Sequence, residues 1–156
     1  MSIAEKLIRH DLEKLKTDLE NSSIIFVDLI DDNLLHLEAA IQGPMSTPYE
    51  NGVFLLDIKL TEQFPFSSPQ SIIFKRATMH PNVTENGTFL SDLLTKAKWV
   101  PTWSIKDILE HVWARLAFPD VDSTECDSKR ADLYRTDQER FNVQAREYSI
   151  EYAQAI

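Results

Sequence analysis

Two stretches of alternating apolar and polar residues restrict the fold of this chain more than any other feature. They cover residues 34–42 and 54–60, and in each the apolar positions recur at every second residue. Successive side chains of a β-strand point to opposite faces, so the pattern predicts two strands that each bury one face. The apolar positions are Leu35, Leu37, Ala39 and Ile41 in the first strand, and Phe54, Leu56, Ile58 and Leu60 in the second.

Two further segments extend this predicted sheet. Ile24 to Leu29 is rich in β-branched and aromatic residues, and Ser71 to Lys75 is a short, mainly apolar run. Gly43-Pro44 and Asn51-Gly52 mark a turn region between the two central strands. Because the connections between consecutive strands are short, the sequence predicts a four-stranded antiparallel meander.

Helical patterns flank the sheet on both sides. The segment from Ser2 to about Glu20 has one apolar face and begins with a capping-box motif. A second helix follows the N-cap Ser104, and further helices are predicted at 129–134 and from Thr136. The expected inward positions are Ile3, Leu7, Ile8, Leu12, Leu15 and Leu19, then Ile105, Ile108, Leu109, Val112, Trp113 and Leu116, and finally Phe141, Ala145, Tyr148 and Tyr152. The fold class is therefore α+β, with one N-terminal helix and three C-terminal helices.

The segment from Arg76 to Trp103 shows no sustained periodicity. It contains Asn86-Gly87 and Pro101, which favour turns, and Trp99, which is expected to pin it to the body of the domain. Loops of this length inside a compact domain are usually functional. We therefore expect the functional site in this loop.

Composition narrows the class of protein. The 156 residues are expected to form a single domain, 1–156. Lys and Arg number 16 against 25 Asp and Glu, and the formal net charge of −9 repels phosphate backbones, so nucleic acid is not a predicted partner. No apolar run approaches the roughly 18 residues of a membrane span, so no membrane association is predicted.

The cysteine and histidine content limits the chemistry of the chain. Cys126 is the only cysteine, which excludes an internal disulfide and suits a reducing compartment, the cytoplasm or the nucleus. The four histidines are scattered and show no metal-ligand pattern, so neither a metal nor another cofactor is predicted.

Six sequence blocks, taken in order, resemble the ubiquitin-conjugating enzymes. They span nearly the whole chain, whereas one triplet such as His-Pro-Asn would say little. The blocks are Gly43-Pro44 with Thr47 to Phe54, Phe64-Pro65-Phe66 with Pro69, His80-Pro81-Asn82, Trp99 with Pro101, Tyr134 to Asp137, and Ala145-Arg146-Glu147. The resemblance implies the UBC fold of that family, which agrees with the α+β pattern above.

The resemblance also implies an active site that has lost its nucleophile. In the family, the triplet is followed by a loop and then by the cysteine that accepts ubiquitin as a thioester. Here Leu90 stands at the cysteine's place. Leucine has no nucleophilic group, so no catalytic residue is assigned and the chain is not expected to be an enzyme. The degenerate site comprises His80, Pro81, Asn82, Leu90, Asp92 and Ser123, the last at the position of an acid that prepares the acceptor lysine in the family.

Two residues could replace the missing nucleophile. Ser91 adjoins Leu90, but it is expected to face away from the cleft, and no histidine is close to it in sequence. Cys126 lies in the connector after the second helix, where an incidental thiol is the simpler interpretation. A further alternative is that the chain is an active conjugating enzyme in which the cysteine at position 90 was replaced by substitution.

Two neighbouring loops resemble those by which the family binds ubiquitin ligases. The matching residues are Phe66, Val100, Pro101 and Thr102. An exposed Phe can anchor an interface, whereas the alternative is a buried Phe66 and a Pro101 that only makes a turn.

The first helix also departs from the family pattern. Two basic positions by which the family docks the activating enzyme fall at Leu7 and His10 in this chain, which weakens charge complementarity with that enzyme.

We therefore predict a ubiquitin-conjugating enzyme variant, a non-catalytic protein that modulates ubiquitin transfer. Its expected partners are a ligase, ubiquitin or a ubiquitin-like modifier, or an active conjugating enzyme. One class of variants pairs with an active enzyme through an N-terminal aromatic residue and lacks the last two helices. This chain has no aromatic residue before Phe26 and keeps those helices, which argues against that mode of pairing. A scaffold that reuses the fold outside the ubiquitin pathway is the third interpretation.

Overall fold

A computed structural model describes residues 1–19 and 22–154 of the chain. One helix is followed by four strands and then, after a long loop that contains a 3-10 helix at Asp92–Leu94, by three more helices. The bounds are Ile3–Thr17 for α1, Ile24–Ile30 for β1, Asn33–Gln42 for β2, Val53–Lys59 for β3, Ser71–Phe74 for β4, Ile105–Ala117 for α2, Ser128–Thr136 for α3 and Gln138–Tyr152 for α4. The predicted α+β order is confirmed. None of the described helices combines the length and apolarity needed to cross a membrane.

The four strands form one antiparallel sheet in the order β1-β2-β3-β4, which confirms the predicted meander. Ala39 on β2 is paired with Leu56 on β3, and Leu56 is paired with Phe74 on β4. The apolar positions of three strands therefore lie side by side on one face. A two-residue turn joins β1 to β2, and both of its residues, Asp31 and Asp32, have positive φ, as tight hairpin turns require.

The apolar face of the sheet and helix α2 share one core. Every residue predicted to point inward in the two alternating segments is buried except Leu35, which is half-buried, and Leu60 lies one residue after the end of β3. The buried residues of α2 are Ile105, Ile108, Leu109, Val112 and Leu116. Trp113 was also expected inward, but it is half-buried and lines a surface cleft with Asp18 and Glu110. Packing in this core holds α2 against the long loop, and α2 forms one wall of the candidate site.

Several element boundaries differ slightly from the prediction. Helix α1 ends at Thr17, and the predicted end at Glu20 lies outside the described residues. Strand β4 ends at Phe74 rather than at the following lysine. Helix α3 continues to Thr136, so Asp137 rather than Thr136 caps α4 and accepts the amide of the third helical residue at 3.1 Å.

The inward faces of α1 and α4 also differ from the prediction. Ile3, Leu7 and Tyr152 were expected to be buried and are instead exposed. The buried residues are Ala4, Ile8 and Leu15 on α1, and Phe141, Ala145 and Ser149 on α4. Each residue turns a helix by about 100°, so a buried face centred on Ala4 and Ile8 directs Ile3 and Leu7 toward solvent. The sequence pattern alone did not fix the rotation of these helices against the core.

Candidate functional site

The long loop between β4 and α2 carries most of the predicted site residues. A bridge pairs Val83 with Phe89, and the turn between them contains Gly87 at a φ of 92°. A Cβ atom at Gly87 would lie 2.4 Å from the Phe74 carbonyl oxygen. Only glycine fits this position, so the predicted Asn-Gly turn fixes the path of the chain into Leu90.

Asn82 is fully buried and joins the loop to the connector between α2 and α3. Its Nδ2 donates to the carbonyl oxygens of Asp120 at 2.8 Å and Glu125 at 3.1 Å, and its Oδ1 accepts the Asp120 amide at 2.9 Å. The neighbouring Pro81 carbonyl oxygen accepts the Asp127 amide at 2.8 Å. Both Nδ2 hydrogens of Asn82 are therefore committed to the backbone, which leaves no donor for a reacting group.

His80 is also buried, and its contacts are to the backbone. Its Nε2 lies 2.6 Å from the carbonyl oxygen of Arg115, and its Nδ1 accepts the Asn82 amide at 2.9 Å. Burial lowers the pKa of His80 to about 3, so the imidazole is neutral at neutral pH. A neutral ring with its proton on Nε2 satisfies both contacts. Such a ring is poorly suited to exchange protons as a general acid near neutral pH.

Leu90 lies in this loop directly beside Asn82. Its amide donates to the Asn82 carbonyl oxygen at 2.8 Å, and its side chain is half-buried. The residues before and after it, Phe89 and Ser91, are both buried. Because neighbouring side chains of an extended chain point to opposite sides, the side chain of Leu90 is directed away from the interior. At position 90, beside Asn82, the chain therefore presents a half-buried hydrocarbon side chain.

Ser91 forms a contact that its sequence neighbours did not reveal. Its Oγ lies 2.7 Å from Nε2 of His111 on α2 and also accepts the Leu93 amide at 3.2 Å. Burial lowers the pKa of His111 to about 4, which keeps the ring neutral and able to accept the Ser91 proton. The sequence alone did not predict this contact, because the two residues are far apart in the chain and only the packing of α2 against the loop brings their side chains together. The serine itself is 5% exposed.

Asp92 forms ion pairs with two basic side chains, one from the loop itself and one from α2. Lys98 Nζ lies 2.9 Å from one carboxylate oxygen, and Arg115 Nη2 lies 3.5 Å from the other. The hydrogen bond from Lys98 lowers the pKa of Asp92, which is therefore a carboxylate at neutral pH. Arg115 also approaches Asp120 at 3.9 Å. These ion pairs connect the loop, α2 and the connector that contains Asp120.

The connector carries Ser123 and Cys126. Ser123 Oγ accepts the Glu125 amide at 3.1 Å, and the Ser123 amide donates to Asp120 Oδ1 at 3.3 Å. Cys126 is half-buried, and its Sγ donates to the Ser123 carbonyl oxygen at 3.4 Å. Burial raises the pKa of the Cys126 thiol, so the protonated form is favoured near neutral pH. Through Asp120 and Asn82, the structure brings this connector against the predicted site residues of the loop.

The predicted ligase-binding residues lie on two adjacent loops, which we call the docking loops: Phe66, Val100, Pro101 and Thr102. Trp99 Nε1 donates to the Pro65 carbonyl oxygen at 2.7 Å and ties the loops together. Phe66 is 72% exposed and Val100 46% exposed, and Pro101 and Thr102 are also exposed. The alternative of a buried Phe66 is wrong.

A family model described as "Ubiquitin-conjugating enzyme" matches residues 7–149, which include every strand, the long loop, α2, α3 and most of α4. This match agrees with the four-stranded antiparallel sheet, the preceding helix and the three following helices. The chain belongs to the ubiquitin-conjugating enzyme family and has its UBC fold.

Proposed function

We propose that this chain is a non-catalytic ubiquitin-conjugating enzyme variant that binds proteins of the ubiquitin pathway and modulates ubiquitin transfer. The observation that carries the proposal is Leu90, at the position where the family resemblance expects the thioester-forming cysteine. Accepting ubiquitin requires a thiolate that attacks the thioester of the activating enzyme and later acts as leaving group. Leucine has no lone pair with which to form that bond.

Cys126, the only thiol of the chain, is poorly suited to replace the missing nucleophile. It is half-buried and hydrogen-bonded to the connector backbone, and its pKa is raised by burial. A raised pKa lowers the fraction of thiolate at neutral pH, and the thiolate is the reactive species. The hydrogen bond from the Cys126 thiol to the Ser123 carbonyl oxygen supports a structural role for this side chain rather than a catalytic one.

Ser91 is the rival nucleophile with a specific observation in its favour, because His111 is placed to accept its proton. Two features weigh against it. The side chain is buried and also caps the 3-10 helix through the Leu93 amide, so an incoming thioester meets packed side chains. The pKa of His111, about 4, makes the imidazole a weak general base.

Transfer to a lysine is expected to be impaired as well. Ser123 stands at the position where the family has an acid, and its hydroxyl accepts a backbone amide. Asp122 is the nearest carboxylate in sequence, and it is exposed. A neutral hydroxyl cannot attract a lysine ammonium or accept its proton as a carboxylate does.

The binding part of the proposal is supported by the docking loops. Phe66 and Val100 expose apolar surface beside Pro101, and aromatic side chains are frequent anchors of protein interfaces. Neither side chain belongs to the hydrophobic core. Their exposure therefore fits a binding surface better than a requirement of the fold.

A charging assay tests the catalytic part. The chain is incubated with activating enzyme, ATP and ubiquitin, and adducts are separated with and without reductant. We expect no adduct from the wild-type chain. A reductant-sensitive adduct lost on Cys126→Ser would overturn the proposal in favour of a cysteine enzyme. An adduct that survives reductant and is lost on Ser91→Ala would do so in favour of the serine.

An NMR titration tests the binding part. The ¹⁵N-labelled chain is titrated with ubiquitin, with an active conjugating enzyme and with a set of RING-type ligase domains. We expect saturable shifts with at least one of these proteins. For a ligase domain, the shifts should include the docking loops and weaken on Phe66→Ala. No shift with any of them would reject the proposal and favour a scaffold outside the ubiquitin pathway.

A further inference from the structure

The outer face of helix α4 exposes two large apolar side chains with opposite charges between them. Val143 is 52% exposed and Ile150 is 66% exposed, and Arg146 and Glu147, which lie between them in sequence, are also exposed. Spacings of three, four and seven residues place these side chains on one side of the helix, and we call the four residues the α4 stripe. The buried residues of α4 lie on the opposite side, so the stripe points away from the domain.

The order of the α4 stripe makes it complementary to a reversed copy of itself. When two identical helices are related by a twofold axis, contacts are reciprocal, so that residue i meets residue j and j meets i. If the helices are antiparallel and the axis passes between Arg146 and Glu147, Val143 lies opposite Ile150 of the second copy. Arg146 then lies opposite Glu147 of the second copy, and each contact occurs twice. A parallel pair would instead place like charges opposite each other.

The two charges of the α4 stripe are not paired within the chain. The residues three and four positions away from Arg146 and from Glu147 include no oppositely charged side chain. Neither residue forms an ion pair in the part of the chain that the structure describes. Arg146 Nη2 donates to the Thr47 carbonyl oxygen at 3.2 Å, which uses one of the roughly five N–H groups of a guanidinium. Both charges are therefore available to a second molecule.

We propose that the α4 stripe is a self-association surface, and that its occupant is a second copy of this chain with its α4 antiparallel to the first. Val143 and Ile150 form two apolar contacts toward the ends of the interface, and Arg146 and Glu147 form two ion pairs at its centre. The apolar contacts supply affinity, whereas the ion pairs fix the antiparallel direction. The inference goes beyond the proposed function and does not depend on it, since no protein of the ubiquitin pathway takes part.

The dimer is expected to be weak. Helix α4 has 15 residues and is about 22 Å long, so the contact buries less than the roughly 1,200 Å² of stable complexes. The formal net charge of −9 on each copy adds repulsion. At about 0.15 M salt the screening length is about 8 Å, which reduces this long-range repulsion more than the contact between Arg146 and Glu147. We expect a dissociation constant on the order of 100 µM.

Sedimentation equilibrium of the full chain, from about 10 µM to about 500 µM, measures the association. The average mass of the wild-type chain should rise from the 18.0 kDa of the monomer toward twice that value. Ile150→Lys removes an apolar contact that occurs twice and should weaken the dimer by about tenfold or more. Ile3→Lys, the same change at an exposed residue of α1, is the matched control and should leave the dissociation constant unchanged. Circular dichroism checks that each variant is folded.

An exchange of charges tests the antiparallel pairing. Arg146→Glu and Glu147→Arg each place like charges opposite each other and should each weaken the dimer about tenfold. Lys129→Glu on α3 changes the net charge as Arg146→Glu does and should weaken the dimer by less than about twofold. The double variant Arg146→Glu/Glu147→Arg restores opposite charges and should regain the wild-type dissociation constant. An equimolar mixture of the two single variants should form a heterodimer, because each charge then meets an opposite one.

Three results would overturn the inference. A wild-type chain that stays monomeric up to about 500 µM has no such surface. If Arg146→Glu and Lys129→Glu weaken the dimer equally, net charge rather than the α4 stripe controls it. If neither the double variant nor the mixture recovers the dimer, Arg146 does not meet Glu147 across a twofold axis. Because Arg146 also contacts Thr47, Glu147→Arg keeps the test valid where Arg146→Glu disturbs the fold. The proposed function stands or falls separately, on the charging assay and the titration.

Discussion

Two parts of the same long loop have opposite physical character. Near its start, His80 and Asn82 are fully buried, and their side chains bond to backbone groups of α2 and the connector. Near its end, Val100, Pro101 and Thr102 are exposed. The buried part is needed for the fold whether or not a nucleophile is present. The exposed part contributes little to stability, so its accessible apolar surface calls for a different explanation, for which we propose binding.

The same contrast occurs in the neighbouring loop between β3 and β4, where two phenylalanines two residues apart give the test with the largest expected effect. Phe64 is 3% exposed and packs against Trp99, whereas Phe66 is exposed. Phe64→Ala should lower the free energy of unfolding by about 4 kcal/mol, because it removes a buried ring and leaves a cavity. Phe66→Ala should change it by less than about 0.5 kcal/mol. Urea unfolding measures both changes, and equal losses would contradict the distinction between a buried Phe64 that stabilises the fold and an exposed Phe66 that does not.

Asn82→Ala should have the next largest effect. The substitution leaves the amide and carbonyl oxygen of Asp120 and the carbonyl oxygen of Glu125 without their partner. Unsatisfied buried groups of this kind should lower the free energy of unfolding by about 3 kcal/mol in total. Thr102→Ala, at the exposed end of the loop, serves as control and should cost less than about 0.5 kcal/mol. A loss below about 1 kcal/mol for Asn82→Ala would contradict a structural role for this network.

The sequence predicted the buried faces of the central strands better than it predicted the contacts of the site. Alternation identified the inner residues of β2 and β3, since a strand has only two faces. The buried faces of the helices were predicted less accurately. Ile3 and Leu7 were predicted to be buried and are exposed, because the rotation of a helix about its own axis depends on tertiary packing. The Ser91–His111 contact could not be predicted, because it exists only after α2 packs behind the loop.

The buried histidine gives a pH-dependent test. The pKa of His80 is about 3 in the folded chain, against an ordinary value of 6.5. The unfolded chain therefore takes up a proton first as pH falls below 6.5, and the folded state loses stability down to about pH 3. Between pH 7 and pH 5 this amounts to about 2 kcal/mol. His80→Gln lacks the titration, so its stability should fall less over this interval. An identical fall in both proteins would show that the pKa of His80 is not lowered.

Cys126→Ser should have the smallest effect. The side chain is half-buried, and a serine hydroxyl can still donate to the Ser123 carbonyl oxygen, so unfolding should change by less than about 0.5 kcal/mol. Because burial raises its pKa, the Cys126 thiol should react with a disulfide reagent more slowly than an unstructured peptide thiol at pH 7. A Leu90→Cys/Cys126→Ser variant places a single thiol at the half-accessible position beside Asn82, and we expect that thiol to react faster. If Cys126 in the wild-type chain reacts as fast as the thiol at position 90, the connector holds an accessible nucleophile, and the argument against Cys126 as a substitute for the missing cysteine is wrong.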